Sequence, residues 1–256
     1  MAKIWFLEAN LPLTKSYALN AKQEITTSAY PIVSKFKSHA TTCDTLKDFY
    51  TQLVEHSKKG HCLIKGILHH ELSWESRRKS TQTLDKTEWV CLDLDGAPFK
   101  SPEEMMSQHP ALKDVSYVVQ YSASEGLGKP GIRCHVFFYL DSAYNATYLK
   151  SWLMEMNLDG NLFKGVLRRN LSMNDAGTCI KWPVDITCCQ NDKLLYIAPP
   201  TVEKGIEYNP PAPRIQYVAK KLPCLPTSRL AIQKIEFWKK EQRTVLNAMR
   251  KEAGLT

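Results

Sequence analysis

The amino-acid sequence predicts an α+β fold, because strand-like and helix-like periodicities occur in separate segments. Apolar and polar residues alternate over 89–95 and 132–140, and a short apolar run rich in valine and tyrosine covers 115–121. Apolar residues recur at helical spacing over 44–58 and 145–156. These segments predict a sheet with helices packed against it.

Shorter elements complete this prediction. The predicted short strands occupy 3–6, 32–36 and 62–68, with a hairpin at 182–187 and 194–198. The predicted further helices occupy 101–109 and 233–251.

Three regions are predicted along the chain: a domain at 1–208, a connector at 209–228 and a C-terminal helix at 229–256. Five prolines mark the connector. The last helix either docks on the domain or begins a further one, and we expect the chain to form the front of a longer protein.

Composition narrows the class of protein. The chain has 256 residues, of which 43% are hydrophobic and 10% aromatic, so it can build a substantial core. No apolar stretch approaches the length of a membrane span, and the first nine residues lack the regions of a secretion signal. We therefore expect a cytoplasmic protein without a membrane partner. The net charge of +8 favours a polyanionic or phosphorylated ligand.

The eight cysteines are scattered, and no two of them form a Cys-x-x-Cys pair. Several lie inside apolar, strand-like runs, which is typical of reduced core residues. The pattern argues against a structural zinc site. We expect no organic cofactor either.

The strand at 89–95 carries the first candidate chemistry. Asp93 and Asp95 are two residues apart, so both carboxylates point to one face at the strand end. Two like charges repel unless a divalent cation binds both. Gly96 then lets the chain turn beside the ion. The alternative is loop capping in a solvated turn.

The predicted strand at 132–140 carries the second group of candidate functional residues. Arg133 and His135 share one face beside a glycine-rich loop that contains Lys129, and together these groups can bind phosphates. A histidine in a strand is otherwise a hydrogen-bonded core residue. The basic run that includes Arg77 and Arg78 is a weaker candidate for phosphate binding, since such runs are often solvated loops.

A third acid completes the candidate set. Asp185 lies between Val184 and Ile186, and burying a carboxylate there is costly unless a partner such as a metal ion neutralises it. Asp175 and Asp192 are competitors in loop-like surroundings.

The three motifs, Leu92-Asp93-Leu94-Asp95, Arg133-Cys134-His135 and Val184-Asp185-Ile186, resemble in order and spacing those of the archaeo-eukaryotic primase superfamily. The resemblance is greatest to the primase-polymerase domains of phage and plasmid replication proteins, whose last strand often ends in Ala-Pro-Pro, here Ala198-Pro199-Pro200. It covers about residues 40–205 and implies an RRM-like catalytic sheet with a smaller N-terminal α/β module.

The resemblance also implies an activity: template-dependent nucleotidyl transfer, as DNA primase or primase-polymerase, in phage or plasmid replication. Two Mg²⁺ or Mn²⁺ ions would be held by Asp93, Asp95 and Asp185. The partners implied are single-stranded DNA template, nucleoside triphosphates and a helicase in cis or in trans.

The resemblance further assigns nucleotide binding. Arg133 and His135, with Lys129, would hold the phosphates. The family usually has serine where Arg133 stands, and Ser122 and Ser124 can supply that polar role from the loop.

Two alternatives remain open. A single-stranded nucleic-acid-binding module would use Phe137 and Tyr139 on the sheet without catalysis. A metal-dependent nuclease would use the same acids, although the rolling-circle type needs two histidines where Cys134-His135-Val136 offers one.

Overall fold

The computed structural model describes residues 2–159, 161–163, 165–169, 179–230 and 233–254, and it has the mixed α+β architecture predicted from the sequence. The strands are β1 (Ala2–Glu8), β2 (Ser16–Leu19), β3 (Ile25–Ser28), β4 (Phe36–Cys43), β5 (Cys62–Ile64), β6 (Ser73–Glu75), β7 (Lys86–Ala97), β8 (Tyr117–Tyr121), β9 (Ile132–Asn145), β10 (Arg168–Arg169), β11 (Ile180–Lys181), β12 (Leu194–Tyr196), β13 (Thr201–Val202) and β14 (Ile215–Val218). The α-helices are α1 (Leu46–Lys58), α2 (Pro102–Gln108), α3 (Ala146–Leu158) and α4 (Ile235–Glu252).

A four-stranded antiparallel sheet, in the order β14-β8-β9-β7, lies at the centre. Along the chain its elements follow as β7, α2, β8, β9 and α3, and β14 adds at the far edge. The opposite edge, at β7, carries one bridge between Leu94 and Val184.

The two faces of this sheet pack into different cores, as the alternation in β7 and β9 predicts. One core contains Val90, Leu92, Leu94, Ile132, Cys134, Val136 and Phe138 together with residues of α2 and α3. The other contains Trp89, Cys91, Phe137 and Tyr139.

A five-stranded sheet, in the order β12-β5-β1-β4-β6, covers that second face. Phe6 of β1 and Leu63 of β5 join the same core as Trp89 and Phe137, and helix α1 adds Phe49 and Leu53. The N-terminal elements therefore share a hydrophobic core with the central sheet.

Helices α1, α2 and α3 each begin at a side chain that caps the first turn. Thr45 and Asp48 form a capping box at α1, and Ser101 caps α2 with Pro102 in its first turn. Asn145 caps α3 by accepting the Tyr148 N–H at 3.1 Å. The predicted helices start within two residues of the observed ones.

The predicted hairpin at 182–187 and 194–198 is wrong. Asp185 accepts the N–H of Thr187 and begins a 3-10 turn at Ile186–Cys189, because a short polar side chain can replace strand pairing by bonding to its own backbone. Strand β12 pairs with β5 instead.

Other differences lie in polar segments. The predicted strand at 32–36 is irregular until β4 begins at Phe36, and Ile32 is fully exposed. Strands β2 and β3 form in a Thr- and Ser-rich stretch without apolar alternation.

The Pro-rich segment 209–228 contains β14, which is an edge strand of the central sheet. This part of the predicted connector is thus integral to the sheet, while the division into domains stays a prediction. Within the described ranges, no helix has the length and apolarity needed to cross a membrane. All eight cysteines are free.

Candidate active site

A row of polar side chains crosses three adjacent strands of the central sheet. Asp93 of β7 lies directly opposite His135 of β9, which lies opposite Gln120 of β8. His135 and Gln120 are buried, whereas the Asp93 side chain is 26% exposed. Antiparallel register therefore brings the first predicted acid and the predicted histidine together.

Gln120 orients the imidazole. The Gln120 amide nitrogen donates to the carbonyl of Tyr121 at 2.6 Å, so the amide oxygen faces His135 Nδ1, also at 2.6 Å. Nδ1–H donates to this oxygen, and Nε2 is directed toward Asp93 Oδ1 at 3.6 Å. The ring is thus fixed with one nitrogen toward the acid.

Asp185 reaches the same place from the 3-10 turn. Its backbone N–H donates to the carbonyl of Asp93 at 2.9 Å, which ties the turn to β7. Its carboxylate accepts bonds from the Thr187 hydroxyl at 2.7 Å and from Lys193 Nζ at 2.9 Å. Asp185, the third acid, is therefore positioned by the 3-10 turn that forms in place of the predicted strand.

One oxygen each of Asp93 and Asp185 and the thiol sulfur of Cys188 lie within 4.8 Å of one another. The carboxylates are the ligands that Mg²⁺ and Mn²⁺ prefer. A hydrogen bond with Cys91 and burial raise the pKa of Cys188, so the thiol stays protonated and donates to Asp93 at 3.6 Å. The set fits one hard divalent cation on two carboxylates.

Opposing effects act on Asp93. Burial raises the pKa of its carboxyl, but His135, Lys193 and the Cys188 thiol together lower it below its usual value. Burial lowers the pKa of Lys193, but Asp185, together with Cys188 and Asp93, raises this pKa to a net value above the usual one. Both carboxylate and ammonium are therefore charged at neutral pH.

Asp95 occupies a different position. Its side chain is 66% exposed and contacts Arg133 Nε at 3.3 Å, directly across the strand pair. Arg133 Nη1 also donates to the carbonyls of Lys129, Pro130 and Gly131. The guanidinium thus holds the hairpin loop closed over the strand end.

These groups meet at a cavity of about 840 Å³. Its lining combines the acids Asp93, Asp95 and Asp185 with His135, the cations Lys15, Arg168, Lys181 and Lys193, and the aromatic side chains Tyr30, Trp182 and Tyr196. Tyr30 stacks on Tyr196 with ring centroids 3.7 Å apart. The cavity offers acidic, basic and aromatic groups together.

The loop residues divide between the cavity and solvent. Ser122 and Ser124 line the cavity, and their hydroxyl oxygens are 3.2 Å apart. Lys129 is exposed at the loop tip, and neither it nor Arg133 belongs to the lining formed by the described residues. The structure therefore brings the two serines, but not the two cations, to the cavity.

The remaining candidates lie elsewhere. Arg77 and Arg78 line a separate cavity of about 670 Å³, where Arg77 Nη1 donates to the carbonyl of Asp192 at 2.8 Å. Asp192 is exposed and lines that second cavity. Asp175 lies outside the described residues.

Sequence reasoning missed Gln120, Lys193 and Tyr196. Gln120 lies in an apolar strand, and its link to His135 depends on strand register, which a single sequence does not reveal. Lys193 and Tyr196 reach the cavity because β12 pairs with β5 rather than with the preceding segment.

Comparison of the chain with family models, with curated proteins and with solved structures gave no match.

Proposed function

We propose that the chain is a template-dependent nucleotidyltransferase of the primase-polymerase type. The observation that carries this proposal is the convergence of Asp93, Asp185 and His135 on one wall of a cavity that also presents four cations. Acids that bind a divalent cation beside cations that bind phosphates are the groups that phosphoryl and nucleotidyl transfer require.

The topology supports the RRM-like part of the proposal. The ferredoxin-like arrangement has six elements in the order β-α-β-β-α-β. Its first five correspond to β7, α2, β8, β9 and α3, whose strands have the spatial order β7-β9-β8. In that arrangement a fourth strand would lie beside β7, where the Leu94–Val184 bridge now stands. The five-stranded sheet and α1 would be the smaller N-terminal module.

Asp93 and Asp185 would hold Mg²⁺ or Mn²⁺. When bound, such an ion activates the attacking 3′-hydroxyl and neutralises charge on the phosphates. A second ion would need Asp95, whose carboxylate contacts Arg133 in the present arrangement.

The chain's own groups would bind the nucleotide. Lys193 and Arg168 offer ammonium and guanidinium groups to the triphosphate, and the two loop serines offer hydroxyl groups. Tyr196 and Trp182 offer aromatic faces on which a base can stack. His135, fixed by Gln120, would contact a phosphate through Nε2.

The burial of the aromatic residues weighs against the pure binding module. Phe137 and Tyr139, the stacking residues that this alternative requires, pack in the core against Phe49 and Trp89. A metal-dependent nuclease would use the same acids, and its products distinguish it from a nucleotidyltransferase.

A primer-extension assay tests the proposal. The chain is incubated with single-stranded DNA, labelled ribo- or deoxynucleoside triphosphates and Mg²⁺ or Mn²⁺, with and without a primer. We expect metal-dependent products that Asp93→Asn abolishes and Asp85→Asn retains. Asp85 is a matched control, because it also pairs with a histidine, His69 at 2.7 Å, and its side chain is 24% exposed.

Template shortened without incorporation would replace the proposal by a nuclease. Template bound without any product, equally in the parent and in Asp93→Asn, would replace it by a binding module.

A further inference from the structure

A second set of metal-binding side chains lies at one end of the five-stranded sheet. Glu8 ends the central strand β1, His39 lies on its neighbour β4, and His61 leads into β5 on the other side. One ligand atom from each of the three lies within 4.8 Å of the others. Three strands adjacent in space but distant in sequence thus converge on one point.

His39 contacts both of the other side chains. His39 Nε2 is 2.7 Å from Glu8 Oε2, and the rings of His39 and His61 are stacked with centroids 5.1 Å apart. These groups differ in exposure. His61 is 7% exposed, whereas the side chains of Glu8 and His39 are about one-third exposed, at 31% and 32%. An ion can therefore reach the set from solvent, while His61 fixes its inner side.

A third histidine, His56, lies behind the set and contacts His61. His56, in the last turn of α1, places its Nδ1 2.8 Å from Nδ1 of His61, which leaves Nε2 of His61 for the cluster. His56 itself is buried and stacks on Phe6 with ring centroids 3.8 Å apart. Histidines that bind metal commonly have their other ring nitrogen held by such a hydrogen bond.

We propose that Glu8, His39 and His61 form a binding site for a divalent transition metal of the Zn²⁺ class. Two imidazoles and one carboxylate suit Zn²⁺ and Co²⁺ better than Mg²⁺, which favours oxygen ligands. The ion takes the place of the hydrogen between His39 Nε2 and Glu8 Oε2, which leaves to solvent as a proton, and water from the exposed side completes the coordination. The scattered cysteines predict no zinc site built from Cys-x-x-Cys pairs, and none of the three ligands proposed here is a cysteine.

The site is independent of the proposed catalytic cavity. None of its three ligands or His56 lines that cavity. A bound ion would connect β1, β4 and β5, and through His56 it would also connect α1. It would stabilise the folded chain, because it binds the native arrangement and not the unfolded chain.

The test uses Co²⁺ as a spectroscopic probe and Zn²⁺ as competitor. The full chain carrying Asp93→Asn and Asp185→Asn, which removes both carboxylates of the other candidate metal site, is freed of metal with a chelator and titrated with Co²⁺. We expect one Co²⁺ per chain, visible absorption bands of a tetrahedral or five-coordinate site, loss of the bands on adding Zn²⁺, and a higher Tm with Zn²⁺.

Glu8→Gln and His39→Gln should each weaken Co²⁺ binding at least about 10- to 100-fold, the range found when even an outer-shell partner is lost. His69→Gln is the matched control, because the His69–Asp85 pair has the same 2.7 Å contact as the His39–Glu8 pair. Circular dichroism checks that each variant is folded.

Absence of the bands in the folded parent background would overturn the proposal. So would equal Co²⁺ binding in Glu8→Gln, His39→Gln and His69→Gln. X-ray absorption of the Zn²⁺-loaded parent gives an independent reading, since a shell without histidine nitrogen would also overturn it.

Discussion

At the scale of single residues, the candidate site depends on register more than on residue type. The sequence predicted correctly that Asp93 and Asp95 share a face, and that Arg133 and His135 share one, because strand periodicity alone determines this. It did not predict that Asp93 would face His135 while Asp95 faces Arg133. A shift of two residues would preserve the faces, but it would place either Arg133 opposite Asp93 or His135 opposite Asp95.

Gln120 provides the sharpest test of this row. Replacing it by methionine, a residue of similar length, removes the acceptor of His135 Nδ1–H, so the imidazole loses its fixed orientation. One net hydrogen bond corresponds to about 0.5–1.5 kcal/mol, and we expect nucleoside triphosphate affinity to fall about two- to thirteenfold. Fluorescence anisotropy of a labelled triphosphate measures this Kd.

Gln216→Met is the control, because Gln216 lies on β14 of the same sheet and donates to the Pro213 carbonyl away from His135. Equal affinity in Gln120→Met and Gln216→Met would show that His135 does not contact the nucleotide.

At the scale of elements, local backbone chemistry decided where the sequence prediction succeeded. The predicted helices α1, α2 and α3 formed because capping side chains and apolar spacing agree there. The strand predicted around Asp185 failed because the same carboxylate that suggested a metal ligand also caps a turn. Strand β14 was missed because prolines flank it on both sides.

Local backbone conformation also determines the end of β7. Gly96 has φ +77°, and the register with β9 shifts between Asp95 and Ala97, so the chain forms a bulge before the strand continues. The sequence interpretation of Gly96 as a turn is therefore refined to a bulge. A Cβ at this position would lie 2.9 Å from Arg133 Nη2.

Gly96→Ala should destabilise the chain more than Gly128→Ala. Both glycines have positive φ, so alanine costs each about 1–2 kcal/mol, but a Cβ at Gly128 has no heavy atom within 4 Å. At Gly96 the Arg133 guanidinium must also move, which adds about 1 kcal/mol. Urea unfolding of the two variants measures the difference. Equal losses would mean that Arg133 is not held against the bulge.

At the scale of the whole molecule, the two large sheets share a core, and Lys65 is buried within it. Lys65 follows β5, is fully buried, donates to the Thr87 hydroxyl and lies over the Trp89 ring of β7 at 4.4 Å from its centroid. Burial lowers the pKa of Lys65 from 10.5 to about 7. The charged form is therefore disfavoured in the folded chain.

This lowered pKa predicts a pH dependence of stability. Between about pH 7 and about pH 10.5 the unfolded chain binds more protons at Lys65 than the folded chain does, so stability should rise with pH across this window. Below about pH 7 the full loss of folding stability caused by burying the charged amine, a few kcal/mol, is present. Lys65→Met should therefore raise Tm most near pH 6 and least near pH 10.

Thermal unfolding across that range, with the exposed Lys47→Met as control, checks the prediction. A Tm difference that stays constant with pH would show that Lys65 titrates alike in the folded and unfolded chains.

Mn²⁺ binding, followed by the paramagnetic signal of the free ion, tests whether Asp93 and Asp185 jointly bind a divalent cation. The measurement uses the Glu8→Gln background, so that the second set of ligands is disabled. We expect binding that weakens at least about tenfold in Asp93→Asn and in Asp185→Asn, since even the loss of an outer-shell partner weakens binding this much, and that persists in Asp85→Asn. Mn²⁺ affinity unchanged by both substitutions would show that Asp93 and Asp185 do not form a metal site.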